Sequence, residues 1–199
     1  NDGIIKVIPA GNEYYVLGYT STNPGTDWQA TISRFSSTGL VLWTKTLDIF
    51  SVWNDGIVTP NGDLLVVGST LPYSSSSQSL TGLINSSGTF AFVRSSNVTG
   101  REILYRIVRN PVPQNSSFPY YVLGELYPGT GRNTILMTLD AGGNIGWKKK
   151  YSSSTTYNFS RDLEALPNGD LLLTGGAVFR ADNSGQLYNA FAIEDPVNF

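Results

Sequence analysis

Pro60-Asn61-Gly62-Asp63-Leu64-Leu65-Val66-Val67-Gly68 returns almost unchanged as Pro167-Asn168-Gly169-Asp170-Leu171-Leu172-Leu173-Thr174-Gly175. Asn-Gly favours a tight turn with positive φ at its central positions, and the apolar run behind it, closed by Gly, is of strand length. A second copy turns this local signal into a repeat unit. Aligning the strand-closing glycines Gly18, Gly68, Gly124 and Gly175 spaces them about fifty residues apart, which divides the chain into four units.

Within each unit, turn residues separate short apolar runs. The first unit reads as strands over 3–9, 14–18, 30–35 and 40–47, the second over 56–59, 64–68, 80–84 and 89–94, and the third over 103–109, 120–124, 134–139 and 144–151. The fourth reads over 163–166, 171–175 and 189–193 and then meets Asp195-Pro196, so its outer strand is expected to be missing. Sustained helical periodicity is absent from the sequence. Four antiparallel strands per unit at this period predict an all-β fold, a β-propeller of four four-stranded blades over about 1–51, 52–101, 102–155 and 156–199, the last lacking its outer strand. No blade can bury both faces alone, so neighbours must stack.

A second period overlies the first. Tyr14-Tyr15-Val16-Leu17-Gly18 matches Tyr120-Tyr121-Val122-Leu123-Gly124 and Trp43 matches Trp147, while the Asn-Gly-Asp-Leu-Leu form occupies units two and four. Odd units resemble odd and even resemble even, as duplication of a two-unit piece would leave them. Trp43, Phe92 and Trp147 fall at corresponding positions and are read as packing between blades. Acidic residues stand where each first strand starts: Asp2, Asp55, Glu102 and Asp162. They are read as carboxylates capping backbone N–H groups, with a cation-binding ring about a central channel as the alternative.

Leu40-Val41-Leu42-Trp43-Thr44-Lys45 after Ser37-Thr38-Gly39, followed by the Asn61 to Gly68 stretch, resembles the bacterial SBBP and delta-60 β-propeller repeats. That resemblance implies a secreted or cell-surface β-propeller whose motif residues are structural, with no activity attached. The Ser-, Thr- and Asn-rich, charge-poor composition points the same way, so the protein is expected to be extracellular or at the cell surface.

Composition excludes several chemistries. Of 199 residues 40% are hydrophobic and only 14% charged, with a net charge of -2, which supplies a core but no basic footprint for nucleic acid. Lys148-Lys149-Lys150 is read as a solvated outer strand. Without Cys or His there are no disulfides, no thiolate or imidazole metal sites and no Ser-His nucleophile, and no metal or cofactor is expected. No apolar run approaches the roughly 20 residues of a membrane span, so no membrane insertion is expected. Asp162 and Glu164 are the nearest thing to a glycosidase pair, but they sit where a repeat strand begins, and no enzyme activity is expected.

Binding is the expected function, because loops on a rigid scaffold carry it. The connections over 19–28, 69–79, 125–133 and 176–188 are long and varied, and the candidate ligand-binding residues are Tyr19, Trp28, Trp53, Tyr73, Tyr127 and Arg132. Asp182-Asn183-Ser184-Gly185 is read as a turn rather than a Ca²⁺ loop. The expectation is therefore a non-enzymatic extracellular module with a structural, adhesive or protein-docking role. A protein partner or another copy would dock through the incomplete last blade. A lectin-like glycan binder and a carboxylate-based carbohydrate-active enzyme are the alternatives.

Overall fold

The computed structural model describes residues 2–23, 27–70, 74–112, 117–129, 131–152, 160–175 and 178–191. Among them the chain is all β, with strands β1 (Asp2–Ala10), β2 (Glu13–Thr20), β3 (Gln29–Phe35), β4 (Val41–Val58), β5 (Leu64–Thr70), β6 (Ser79–Ile84), β7 (Phe90–Ser95) and β8 (Arg101–Arg109). They continue as β9 (Tyr120–Tyr127), β10 (Asn133–Leu139), β11 (Ile145–Tyr151), β12 (Ser160–Ala165), β13 (Leu171–Gly175), β14 (Val178–Ala181) and β15 (Leu187–Phe191). Every pairing is antiparallel between sequence neighbours, in one seven-stranded sheet, β1 to β7, and two four-stranded sheets, β8 to β11 and β12 to β15.

The seven-stranded sheet departs from the expected separate blades because β4 runs for 18 residues. Its first half pairs with β3 and its second half, from Ser51, pairs with β5. One strand thus closes the first unit and opens the second, where a break over 48–55 was expected. Counting β4 in both, the chain holds four units of four strands.

The fourth unit corrects the sequence reading more sharply. The span 176–188, read as a loop, contains β14, and β15 pairs with it as an outer strand, Val178 opposite Phe191. The expected incomplete last blade therefore fails, and the edge of that sheet is β15. Val178-Phe179-Arg180-Ala181 is only four residues long, too short to stand out as a run. Asp182-Asn183-Ser184-Gly185 is the hairpin turn that follows it, as read. The Asp182 carboxylate accepts from the Ser184 and Gln186 N–H groups at 2.9 and 2.8 Å. Ser36, Asn85 and Asp140 hold the corresponding turns of the other units in the same way.

Each closing glycine faces a β-bulge in the first strand of its unit. Gly18, Gly68, Gly124 and Gly175 pair with Ile4, Trp53, Leu104 and Ser160, and the register then skips Ile5, Asn54, Tyr105 and Arg161. The bulge pushes a first-strand carbonyl towards the glycine. A Cβ on Gly18, Gly68 or Gly124 would run into the carbonyl oxygen of Gly3, Val52 or Ile103. This close approach is why these three runs end in Gly.

Three hydrophobic clusters join consecutive units. Tyr15, Leu17 and Ile32 pack on Trp53, Leu64, Val66 and Leu80. Leu65 and Val67 pack on Leu104, Val122 and Ile135, and Tyr121, Leu123 and Leu136 pack on Leu163, Leu171 and Leu173. Each such side chain contributes about 1.5–3 kcal/mol when fully buried. Trp43, Phe92 and Trp147 latch the interfaces from outside. Each ring covers the turn glycine of the next unit, lying 3.0, 2.5 and 2.7 Å from where a Cβ would stand on Gly88, Gly143 and Gly185. The paired tyrosines of the odd units acquire a reason here, since the Tyr15 and Tyr121 hydroxyls donate to Gly62 and Asn183 carbonyls of the following unit.

Gly68→Ala is expected to cost about 3 kcal/mol, in the range of overpacked cores, because backbone must move to admit the methyl group. Gly11→Ala, at φ 65° with open space around it, should cost about 1–2 kcal/mol from its backbone conformation alone. Urea unfolding of the two variants measures the difference.

Candidate functional site

A bulge re-aims the side chain of the extra residue, and here four bulges re-aim four side chains into one place. Ile5, Asn54, Tyr105 and Arg161 all line a cavity of about 400 Å³ at the first strands of the four units. Tyr19 and Trp28, from either end of the β2–β3 connection, form another wall, and Val52, Ser69, Arg101 and Ile103 complete the lining.

The walls differ in chemistry. Tyr19 and Trp28 stack with ring centroids 4.1 Å apart and planes 4° from parallel, giving a flat apolar surface. Opposite in character, Arg161 lies 4.3 Å over the Tyr105 ring, and Arg101 lies 5.2 Å over Tyr127. The Tyr105 hydroxyl donates to Oε2 of the fully buried Glu125 at 2.8 Å. Burial, reinforced by that carboxylate, pushes the Tyr105 hydroxyl well above the usual tyrosine range, so it stays protonated. Arg161 Nε stands 4.0 Å from Glu125 Oε1, an ion-pair distance. Asn54 is held by donating to the Leu104 carbonyl at 2.7 Å.

Three buried atoms here lack a hydrogen-bond partner among the described residues: Ser69 Oγ, Arg101 Nε and Glu125 Oε1. Ser69 and Arg101 both line the cavity. Buried polar atoms are nearly always satisfied by protein or water, so the Ser69 and Arg101 atoms leave the cavity able to offer hydrogen bonds to a polar occupant.

The residue after each bulge forms a second row. Lys6, Asp55, Arg106 and Asp162 hold equivalent positions, opposite Leu17, Val67, Leu123 and Thr174. Their signs alternate and they pair in sequence: Lys6 Nζ to Asp55 at 3.5 Å, Arg106 to Asp55 at 3.2 Å and to Asp162 at 2.5 Å. Asp55 is buried and also accepts from the Ile107 N–H at 3.2 Å.

This arrangement speaks against the alternative of a cation-binding ring of four carboxylates. Asp2 and Glu102 lie opposite Thr20 and Leu126, so they occupy a different position from Asp55 and Asp162. Among the described residues no group of three or more carboxylates could hold a metal ion. Glu102 is buried, accepting from Lys148 Nζ and, at 2.7 Å, from Ser79 Oγ. Lys148 stands exposed on the outer strand β11, as read, and reaches inward with its ammonium group to this buried carboxylate. Asp162 is engaged by Arg106 instead of forming a catalytic pair with Glu164.

Of the residues expected to bind, Tyr19 and Trp28 line the cavity. Tyr127 and Arg132 stack beside it at 5.0 Å, with Tyr127 touching it through Arg101. Trp53 belongs to the core, 0% exposed, because it stands on β4 facing the first unit rather than on a loop. Tyr73 lies outside the described residues. Sequence reasoning missed Asn54, Ser69, Arg101, Tyr105 and Arg161.

The chain holds Trp28 in place through its neighbour. Asp27 accepts from Ser21 and Thr22 hydroxyls and from the Asn23 and Thr22 N–H groups at 2.8 and 3.1 Å. Those hydrogen bonds, the Ser21 one foremost, lower its carboxyl to about 2.

No family model and no curated protein matches the chain. Its structure is similar to a protein of unknown function from Bacteroides caccae, with TM-score 0.57 and 15% identity over 90% of this chain and 58% of that one. It is similar also to a catalytically inactive virginiamycin B lyase from Staphylococcus aureus with quinupristin (TM-score 0.54, 14% identity, 98% of this chain and 71% of that one). An acylaminoacyl peptidase of Pyrococcus horikoshii matches with TM-score 0.51 and 9% identity, over 99% of this chain and 40% of that one. The chain thus spans less than two thirds of the first and third of these proteins. The likeness is one of fold. It overturns the expectation that the chain is not an enzyme, because a lyase and a peptidase share this architecture. Lack of His and Cys removes particular mechanisms and does not make the scaffold inert.

Two measurements probe the site's supports. The Asp27 carboxyl, depressed below its unfolded value near 3.8, contributes stability above pH 4 that is lost as pH falls towards 2. NMR titration of the carboxyl should give about 2, and Trp28 fluorescence should change over that window in the parent but not in Asp27→Asn. Asp55→Ala leaves Lys6 and Arg106 without their shared partner and should cost about 3–5 kcal/mol in urea unfolding.

Proposed function

We propose that the four units are blades of a β-propeller and that the cavity at their bulged first strands binds a small ring-shaped ligand carrying a carboxylate, of which an acidic sugar is the simplest example. The observation that carries this reading is the convergence of four equivalent bulges on one cavity whose buried Ser69 hydroxyl and Arg101 Nε have no hydrogen-bond partner among the described residues. The Tyr19–Trp28 stack offers a flat face for the ring, and Arg101 and Arg161 supply the positive charge. This is the lectin-like alternative of the sequence reading, moved from the loop surface into the cavity. A surface rich in Ser, Thr and Asn and poor in charge supports a place outside the cell or on its surface.

A second reading rests on Glu125, a buried carboxylate hydrogen-bonded to Tyr105, whose other oxygen has no hydrogen bond among the described residues and stands 4.0 Å from Arg161 Nε. Glu125 does not itself line the cavity, so it would act on a bound sugar through the Tyr105 hydroxyl, which does, as the acid–base group of a carboxylate-based carbohydrate-active enzyme.

Calorimetry with galacturonate and galactose tests the binding proposal. The acid should bind more tightly, and Arg101→Ala should weaken it by about 10- to 100-fold, the loss of one charge-assisted hydrogen bond. Trp28→Ala should weaken both sugars. Equal binding of the two sugars, or indifference to both substitutions on an array of acidic and neutral glycans, would sink it. Hydrolysis or elimination of a glycan, abolished in Glu125→Gln with binding retained, would favour the enzymatic reading.

A further inference from the structure

The three unit-to-unit interfaces are built from the same two faces, and one of those faces is left uncovered. Unit two receives unit one on Trp53, Leu64, Val66, Leu80 and Ile84, each at most 1% exposed. The strand registers place Ile4, Tyr14, Val16, Thr31 and Phe35 at the same five positions of unit one. There Ile4 is 74% exposed and Tyr14 41% exposed. Four of the five, Ile4, Val16, Thr31 and Phe35, line an open groove of about 710 Å³ across β1 to β4.

The turn glycines identify what belongs in it. Gly88, Gly143 and Gly185 each carry the aromatic ring of the preceding unit's fourth strand, and Trp43 also donates its indole N–H to the Ser86 carbonyl at 3.0 Å. Gly39 is their counterpart in unit one, with φ 82°, and no described residue lies within 4 Å of its Cβ position. It is an aromatic seat with no ring on it. Unit four does not present the matching face. Where unit one offers Ile8, Tyr15, Leu17 and Trp43 to its successor, the registers give unit four Glu164, Leu172, Thr174 and Asn189. Docking that face would bury Glu164 against apolar side chains and leave the Gly39 seat without an aromatic ring.

We propose that this face of unit one is a docking surface for a further unit of the same repeat, joined ahead of β1, with an apolar forward face and an aromatic residue at the position of Trp43. Continuity with the existing interfaces supports the joined arrangement. Asp2 corresponds by register to Ser51, which lies in the middle of the uninterrupted β4, so a preceding outer strand can run into β1 as the first half of β4 runs into its second. The proposal does not rest on the cavity's ligand, although Tyr19 borders both the cavity and the groove.

A tandem chain tests it directly: a second copy of residues 2–50 placed immediately ahead of Asp2, so that the added Trp43 meets the original Gly39. The expected result is one cooperative urea transition with a higher midpoint than the parent and an m-value larger by roughly a quarter. The Ile4 and Val16 amides of the original unit should exchange more slowly. Trp43→Asn in the added copy alone should return the midpoint towards the parent. An added unit that melts separately, leaving the parent transition and the exchange of original β1 and β2 unchanged, would overturn the proposal. So would concentration-dependent dimerisation of the parent abolished by Ile4→Asp, which would assign the face to a second copy. A disulfide forming between Val16→Cys and Thr174→Cys would assign it to unit four and equally defeat the proposal.

Discussion

The carbonyl of Val52 lies where a Cβ on Gly68 would have to be, and the same close approach recurs at Gly18 and Gly124. Two backbones can come this near only if one strand carries an extra residue and the other carries no side chain. The bulge and the glycine are thus two halves of one constraint. From it follow the strand-closing motif, the kink in each first strand, and the diversion of Ile5, Asn54, Tyr105 and Arg161 from the sheets into a shared cavity. Structural repetition produces the site, while the differing identities of the four diverted residues give it chemistry.

The odd-even alternation has an electrostatic basis that packing alone does not supply. With Lys6 and Arg106 in odd units and Asp55 and Asp162 in even ones, every neighbour around the first strands has opposite sign. Four carboxylates in that position would repel one another in a partly desolvated row, and four cations likewise. A two-unit repeat therefore solves a problem that a one-unit repeat cannot.

The repeat, its closing glycines and the Trp43, Phe92 and Trp147 latch were legible because each is marked by a residue type with a physical reason to be there. The bulges were not. Ile, Asn, Tyr and Arg share no property that announces an inserted residue, and the connection between first and second strands varies in length, so counting back from the glycine does not locate it. The same gap hid the charge row: Asp2, Asp55, Glu102 and Asp162 look equivalent by their nearness to a strand start, and only the hydrogen-bond register separates them into two classes. β14 escaped for want of length. Tyr19 and Trp28 were found because a connection bounded by two aromatics is visible, whereas Arg101 and Ser69 are ordinary residues made notable only by their surroundings.

The shared strand β4 sets how the chain holds together as well as how it is laid out. Its first half carries the outer hydrogen bonds of unit one and its second half the inner hydrogen bonds of unit two. Straightening or fraying one half tugs on the other without a loop to absorb the motion. Units one and two consequently behave as a single cooperative element, and the boundaries of that element ignore the boundaries of the repeat.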